Sequence, residues 1–147
     1  MNLSFSSVMD VINVFQLATV IWLEARGEDF KGRLAVGYVV RNRVTISSRY
    51  GGTYNAIIFQ PKQFSALNPD DPNYEKAIDP IKWDKAAFYE CFDVALAVYG
   101  GTLPDPTDGA DHYHHKDIRP SWVDEPGMVK TLEHGNHIFY RSRAVTR

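Results

Sequence analysis

Residues 8–23 constrain the fold more than any other part of the chain, because they predict a helix that is apolar on nearly every face. Asn13, Gln16 and Thr19 leave only a narrow polar stripe, and that stripe carries no charge. A helix of this kind is usually buried. We therefore predict a core helix around which the other elements pack.

The length and composition fit one domain that spans residues 1–147. The chain is 44% hydrophobic and 23% charged, and its net charge is -2, so we expect no general attraction to nucleic acid. Its one cysteine, Cys91, excludes an internal disulfide and is interpreted as a core residue.

Capping residues and breakers place the other helices. Ser6 or Ser7 can cap the first helix, and Gly27 is positioned to end it in the left-handed conformation. Asp29 can then cap a second helix over residues 30–46. Further along, the pattern predicts a loop over 47–54 and a helical turn capped by Thr53. A long connection over 60–76 follows. The third helix is predicted from Pro80 or Asp84 to Tyr99, and Gly100 and Gly101 stop it.

After the third helix the helical periodicity is lost. The segment DHYHH can alternate as a strand, and MVKTLEHGNHIFYRS predicts two short strands joined at residues 134–136. The result is a helix-dominated α+β domain with a small β-hairpin region near the C-terminus.

Glu24 lies where the apolar helix ends. The helix dipole presents its negative end there, and burial beside Trp22 and Leu23 would also disfavour a charged carboxylate. Both effects raise a carboxyl pKa, which suits a general acid, although a structural or surface glutamate fits the same position. Glu28 follows Gly27, and we expect it to support the start of the second helix rather than the chemistry.

Several blocks in one order match a known family. EARGE, GRLAVGYVVRNRV, IFQPKQFSA, an aromatic-histidine strand, a Pro-x-Trp and GNHIFYR together resemble the spore-cortex-lytic type of bacterial cell-wall hydrolase, over residues 16–141. Members of that family also occur in phages. The resemblance implies a lysozyme-like fold that cleaves the glycan strand of peptidoglycan, with Glu24 as the catalytic acid and with Gln63, Phe64 and Ser65 lining the cleft.

Other side chains are candidates for substrate binding: Tyr113, Trp122, His137 and Tyr140. His112, His114 and His115 raise the alternative of zinc, as in a metal-dependent amidase. The sequence contains no HExxH and no second ligand pair at suitable spacing, so we expect neither a metal nor another cofactor.

Two carbohydrate mechanisms compete. A glycan hydrolase (muramidase) needs a second carboxylate, and Glu28, Asp70, Asp71 and Asp111 are candidates that no spacing distinguishes. A lytic transglycosylase needs only Glu24, and it is the reading we prefer. A third reading is a phage tail protein that binds the wall without cutting it.

The expected partner is the peptidoglycan glycan strand. The N-terminus has no basic region and Asp10 interrupts its apolar run, so we expect no signal peptide and no stable membrane insertion. We expect a monomer that is made in a host cytoplasm and reaches the wall after release or export, as a phage lysis protein would.

Overall fold

The computed structural model describes residues 5–46, 52–60 and 64–143. Within these residues the helices are α1 (Val8–Ala25), α2 (Phe30–Thr45), α3 (Tyr54–Ile58), α4 (Tyr74–Ile78) and α5 (Pro80–Gly100). The strands are β1 (His112–His115), β2 (Val129–His134) and β3 (His137–Arg141), and short 3-10 turns cover Ser65–Leu67 and Ser121–Asp124. Most of the loop predicted over 47–54 lies outside the described residues.

The C-terminal half of α1 is buried as predicted, and its N-terminal half is not. The buried residues of α1 all lie at or after Val14, where the helix packs against α2 and α5. At the other end, Val8 is 74% exposed and Met9 is 52% exposed. The prediction of burial along the whole helix was therefore wrong, because the other helices cover only its second half.

By length and hydropathy α1 could cross a membrane, although Asp10 interrupts its apolar run and no stable insertion was expected. Core helices of globular domains meet the same criterion. Here the buried half of α1 contributes Leu17, Ile21 and Trp22 to the main core, together with residues of α2 and α5. The absence of stable membrane insertion stays a prediction.

The junction between α1 and α2 differs from the prediction at one residue. Gly27 does not adopt the left-handed conformation, and Arg26 caps α1 with right-handed helical angles. The Arg26 guanidinium donates to the Trp22 carbonyl at 3.1 Å, so an arginine satisfies the free carbonyl that a glycine cap would otherwise serve. Asp29 caps α2 as predicted by accepting from the Gly32 N–H at 2.9 Å.

Gly37 lets three helices approach one another. A Cβ at this position would lie 3.0 Å from methyl groups of both Ile21 on α1 and Val98 on α5. That distance is shorter than an ordinary van der Waals contact. The glycine therefore fixes how closely α2 packs against α1 and α5.

The third predicted helix is α5, and each of its two proposed starting points coincides with a feature of this helix. α5 begins at Pro80, with Asp79 as its cap, and is broken at Asp84, whose φ of -157° is not helical. Gly101 ends it in the left-handed conformation with a φ of 65°. The long connection before it contains α4, which the sequence analysis did not predict.

The three strands form an antiparallel sheet in the order β1-β3-β2, and β2 and β3 form the predicted hairpin. Strand pairing places Tyr113 opposite Phe139 and His115 opposite His137 on one face. Phe139 on this face packs with Ala25, Val36 and Val39 in a second core cluster. The sheet is thereby attached to the end of α1 that carries Glu24.

Gly37→Leu should destabilise the fold. The added side chain would overpack the junction of α1, α2 and α5, which typically costs about 1–3 kcal/mol of unfolding free energy. Gly27→Ala is the control, since nothing lies within 4 Å of a Cβ there. Thermal unfolding should show a clear drop in melting temperature for Gly37→Leu alone, and equal melting temperatures would refute this account of the packing.

Candidate functional site

Glu24 lies at the centre of a groove. Three adjoining cavities of about 180, 350 and 340 Å³ each include Leu23 and Glu24 in their walls. The first extends toward the Ser65–Leu67 turn and α4, the second toward β1 and Arg43, and the third toward the α1–α2 junction and the hairpin turn. We call the continuous space that they form the groove.

Tyr113 of β1 holds the Glu24 carboxyl in place. Its hydroxyl donates to Glu24 Oε1 at 2.5 Å. The phenol ring packs edge-on against His137 and tilted against Phe139, with centroid distances of 5.1 and 5.8 Å. Burial and the Glu24 carboxylate raise the Tyr113 pKa well above its usual value, so the phenol stays a neutral donor.

The surroundings of Glu24 favour its protonated form. The side chain opens to the groove, but desolvation by the groove walls raises its pKa. The hydrogen bond from Tyr113 and the positive charge of Arg43 oppose this effect and do not cancel it. The pKa shift therefore has the direction that the sequence predicts, and a raised carboxyl pKa is the direction that a general acid requires.

Arg43 is a groove residue that the sequence analysis missed. It is buried near the end of α2, and its Nε donates to the Asp111 carbonyl at 2.7 Å. Its position four residues after Val39 and seven after Val36, both buried, was a usable signal, because helical spacing puts a charged residue there on the core face. A buried arginine beside a carboxyl can stabilise the carboxylate whenever the proton leaves.

Glu28 is part of the scaffold of the site. Its carboxylate accepts from the Asn136 backbone N–H at 2.8 Å and from Asn136 Nδ2 at 2.9 Å, and it lies 3.6 Å from His137 Nδ1. Burial alone would raise its pKa, but the Asn136 hydrogen bonds and the His137 ring lower it below the ordinary value. These contacts tie the hairpin turn to the α1–α2 junction, next to Glu24.

A second contact strengthens this tie. His134 Nε2 lies 2.7 Å from the Asp29 carboxylate, so the residue that caps α2 also binds the end of β2. Gly135, which follows His134 in the hairpin turn, has a φ of 56°. A Cβ at this position would collide with the Glu28 carboxylate. Glycine is therefore needed at the turn for two separate reasons.

The predicted binding residues lie in different environments. Ser65, Tyr113 and His137 line the groove beside Glu24. Phe64 is 3% exposed and lies in the main core, so the structure places its ring under the groove wall and not on it. Gln63 lies outside the described residues.

Trp122 and Tyr140 lie on the other face of the sheet. Their rings are edge to face, with centroids 5.3 Å apart, and Tyr140 also stacks on His114 at 5.4 Å. Neither residue is among those that line the groove. Trp122 packs the Ser121–Asp124 turn against the sheet, so its ring has a structural role in place of the predicted stacking on a sugar.

The histidines of β1 are divided between the two faces. His112 Nδ1 pairs with the buried Asp111 carboxylate at 3.0 Å, and His114 Nδ1 bonds to the His115 carbonyl at 2.7 Å. Ser142 also donates to the Asp111 carboxylate. Burial would raise the Asp111 pKa, but the hydrogen bonds from His112 and Ser142 outweigh it and lower this pKa to about 2. Over residues 5–46, 52–60 and 64–143, no group of three or more His, Cys, Asp or Glu is placed to hold a metal ion.

The candidates for a second catalytic carboxylate differ in their position relative to the groove. Asp111 is fully buried against Ser142 and His112, away from the groove. Asp70 and Asp71 do not line any of the three cavities. Glu28 is thus the other carboxylate among the described groove residues, and its side chain is only 8% exposed.

Comparison with known proteins identifies the family. The family model described as Cell Wall Hydrolase matches residues 27–140. The chain belongs to this family. The match begins three residues after Glu24, so the assignment of the family does not depend on that residue.

Curated relatives of this chain are spore cortex-lytic enzymes. The enzyme of Bacillus cereus is 32% identical over 124 residues, and that of Oceanobacillus iheyensis is 29% identical over 132 residues. Each match covers 84% of this chain but only 42% and 39% of those proteins, respectively. The chain therefore corresponds to less than half of each relative.

Two solved structures confirm the fold. The catalytic domain of the Bacillus cereus SleB protein superposes with a TM-score of 0.65 at 27% identity, covering 88% of this chain and 91% of that one. The catalytic domain of the germination-specific lytic transglycosylase SleB from Bacillus anthracis gives 0.68 at 24% identity, covering 95% and 100%. The helix-dominated α+β domain that the sequence pattern predicts is therefore correct, and so is the lysozyme-like fold that the family resemblance implies.

Glu28→Gln should lower stability more than it lowers turnover per folded molecule. Glutamine offers one oxygen where Asn136 needs two acceptors, and an unsatisfied buried group costs roughly 1–3 kcal/mol. Because the Glu28 pKa is lowered in the folded state, the stabilisation that it contributes is present above pH 4.5 and is lost as the pH falls. Unfolding curves at several pH values would measure the loss of stability and its pH dependence, and an activity assay per folded molecule would measure turnover.

Glu133→Gln is the matched control for this experiment, because it also removes a carboxylate from this hairpin. The Glu133 carboxylate forms only an exposed ion pair with Lys130. The substitution should leave the melting temperature nearly unchanged. A Glu28→Gln protein of unchanged melting temperature that had lost its turnover would instead assign Glu28 to the chemistry.

Proposed function

We propose that this chain cleaves the β-1,4 bond between N-acetylmuramic acid and N-acetylglucosamine in peptidoglycan, with Glu24 as general acid and base. The observation that carries the proposal is the raised pKa of a carboxyl that lies at the centre of a long groove and is held by Tyr113. Membership of the cell wall hydrolase family supports the same substrate. We propose that the chain meets this substrate after release or export.

The first half of the reaction uses Glu24 as an acid. The protonated carboxyl gives its proton to the glycosidic oxygen, the bond from that oxygen to C1 of muramic acid breaks, and positive charge develops on the sugar ring. Glu24 becomes a carboxylate at the same moment. Tyr113 already donates to it, and the Arg43 charge favours it, so the new negative charge is stabilised where it forms.

The second half uses Glu24 as a base. The carboxylate removes the proton from the C6 hydroxyl of the same muramic acid, O6 bonds to C1, and a 1,6-anhydro ring results. The proton is back on Glu24, so the cycle is complete without water. An intramolecular nucleophile can have a very large effective molarity, which makes this route competitive with hydrolysis.

The transglycosylase route is favoured over a muramidase because of the state of Glu28. A hydrolase needs a second carboxylate about 5–5.5 Å or about 6.5–9.5 Å from the acid. Glu28 already accepts two hydrogen bonds from Asn136, and its lowered pKa makes it a poor base. A substrate that supplies its own nucleophile does not require this residue to leave its partners.

A protein that only binds the wall is the competing class. Binding sugars does not require a carboxyl whose pKa is raised by desolvation and which a buried phenol holds in one position. The environment of Glu24 is therefore the feature that favours cleavage over binding alone.

Glu24→Gln should fold normally and lose wall-degrading activity by several orders of magnitude, since glutamine keeps the size of the side chain but has no proton to transfer. The measurement is turbidity clearing of purified cell walls. Glu133→Gln, which removes an exposed carboxylate from β2, should retain activity. Clearing by a folded Glu24→Gln protein at the rate of the wild type would refute the assignment.

The reaction products distinguish the two mechanisms. Transglycosylation should release muropeptides that end in 1,6-anhydro-muramic acid, one water lighter than the products of hydrolysis. These ends have no reducing carbon, so borohydride treatment should not change their mass. Mass spectrometry before and after reduction is the test, and uniformly reducible muramic acid ends would establish a hydrolase.

A further inference from the structure

Trp83 is placed unusually for a tryptophan. It belongs to the first turn of α5, directly before the break at Asp84, and is 50% exposed. The ammonium groups of Lys76 and Lys82 lie 5.5 and 5.9 Å from the centroid of its ring. A large aromatic surface is therefore held outside the core and is flanked by hydrogen-bond donors.

The ring forms one wall of a concave site. A cavity of about 350 Å³ lies between α4 and the start of α5 and is lined by Glu75, Ile78, Asp79, Lys82 and Trp83. The site thus combines an aromatic face with ammonium donors and carboxylate acceptors. Pyranose rings need this combination, because their C–H faces are apolar and their rims carry hydroxyl groups.

The concave site adjoins the groove through one helix. Asn73 and Lys76 line the groove on the side of Glu24 that faces α4. The Lys76 ammonium also lies over the Trp83 ring, so a single side chain connects the two spaces. A chain bound in the groove and continuing over α4 would reach Trp83.

We propose that Trp83, with Lys76, Lys82, Glu75 and Asp79, forms a distal subsite that binds a sugar ring of the same glycan strand. This inference rests on the proposed function, since it extends the substrate beyond the sugars next to Glu24. The ring of Trp83 stacks on the apolar face of the sugar, the carboxylates accept from its hydroxyls, and the lysines donate to its acetamido carbonyl. The subsite makes the protein selective for long strands.

A lipid surface is the competing occupant of an exposed tryptophan beside lysines. The carboxylates of Glu75 and Asp79 in the same concavity argue against it, because anionic headgroups would be repelled there. The same carboxylates can accept hydrogen bonds from the hydroxyl groups of a neutral sugar.

The test compares Trp83→Ala with Tyr89→Ala. Tyr89 is the matched control, since it lies on the same helix, is also 50% exposed and has the Lys85 ammonium 5.9 Å from its ring, but it lines none of these cavities. In a Glu24→Gln background, which prevents cleavage, cosedimentation with purified sacculi measures binding. Trp83→Ala should bind about 3- to 10-fold more weakly, and Tyr89→Ala should bind unchanged.

Substrate length provides a second readout. With active Glu24, Trp83→Ala should lower kcat/KM on intact strands by a similar factor and leave cleavage of short soluble fragments unchanged. Trp83→Phe, which keeps a ring, should restore most of the binding. Equal melting temperatures would show that the variants are folded.

The outcomes separate the two proposals. If the wild type releases muropeptides but Trp83→Ala binds and cleaves long strands like Tyr89→Ala, the distal subsite is refuted and the proposed function stands. If the wild type releases none while sacculus binding still depends on Trp83, cleavage is refuted and the sugar contact stands. Trp83-dependent binding to phosphatidylglycerol vesicles without dependence on sacculi would overturn the inference in favour of a membrane.

Discussion

The anchoring of the last turn of α1 is the constraint on which the rest of the site depends. Trp22 and Ala25 on either side of Glu24 are buried in two different core clusters, so the turn cannot rotate without disturbing both. Glu24 is thereby directed into the groove at the negative end of the helix dipole. The sheet is attached to this same turn through Phe139, and it supplies the Tyr113 hydroxyl that holds the carboxyl. Position, pKa and hydrogen bonding of the acid all follow from one packed junction.

The two glutamates of EARGE show how environment separates similar groups. Glu24 and Glu28 are four residues apart, yet desolvation raises the pKa of the first while donated hydrogen bonds, outweighing burial, lower the pKa of the second. Pairs of carboxyls with opposite shifts are typical of sites that divide their tasks. Here Glu24 faces the groove, and the Glu28 carboxylate joins Asn136 to the helix junction. The charge that a hydrolase would use as its base is already committed to holding the hairpin in place.

The local parts of this architecture could be predicted from the sequence. The Asp29 cap, the β2–β3 hairpin and the upward shift of the Glu24 pKa depend on neighbouring residues and regular periods, and they are correct. Contacts between distant segments were not predictable in the same way. No local pattern pairs Glu28 with Asn136, which are 108 residues apart, or shows that the Phe64 ring turns into the core. The Gly27 prediction failed for a related reason, because the Arg26 side chain does the work expected of a glycine cap.

The aromatic cluster on the far face of the sheet supports the position of Tyr113. A strand alternates its side chains, so when Tyr113 reaches Glu24 from one face of the sheet, His112 and His114 lie on the opposite face. These two rings are not left exposed, since Trp122 packs against both and Tyr140 stacks on His114. The cluster therefore fixes the register and tilt of β1, and through β1 it fixes the Tyr113 hydroxyl. Trp122 and Tyr140, which the sequence suggested as sugar-binding residues, thus support the Tyr113 hydroxyl that donates to Glu24.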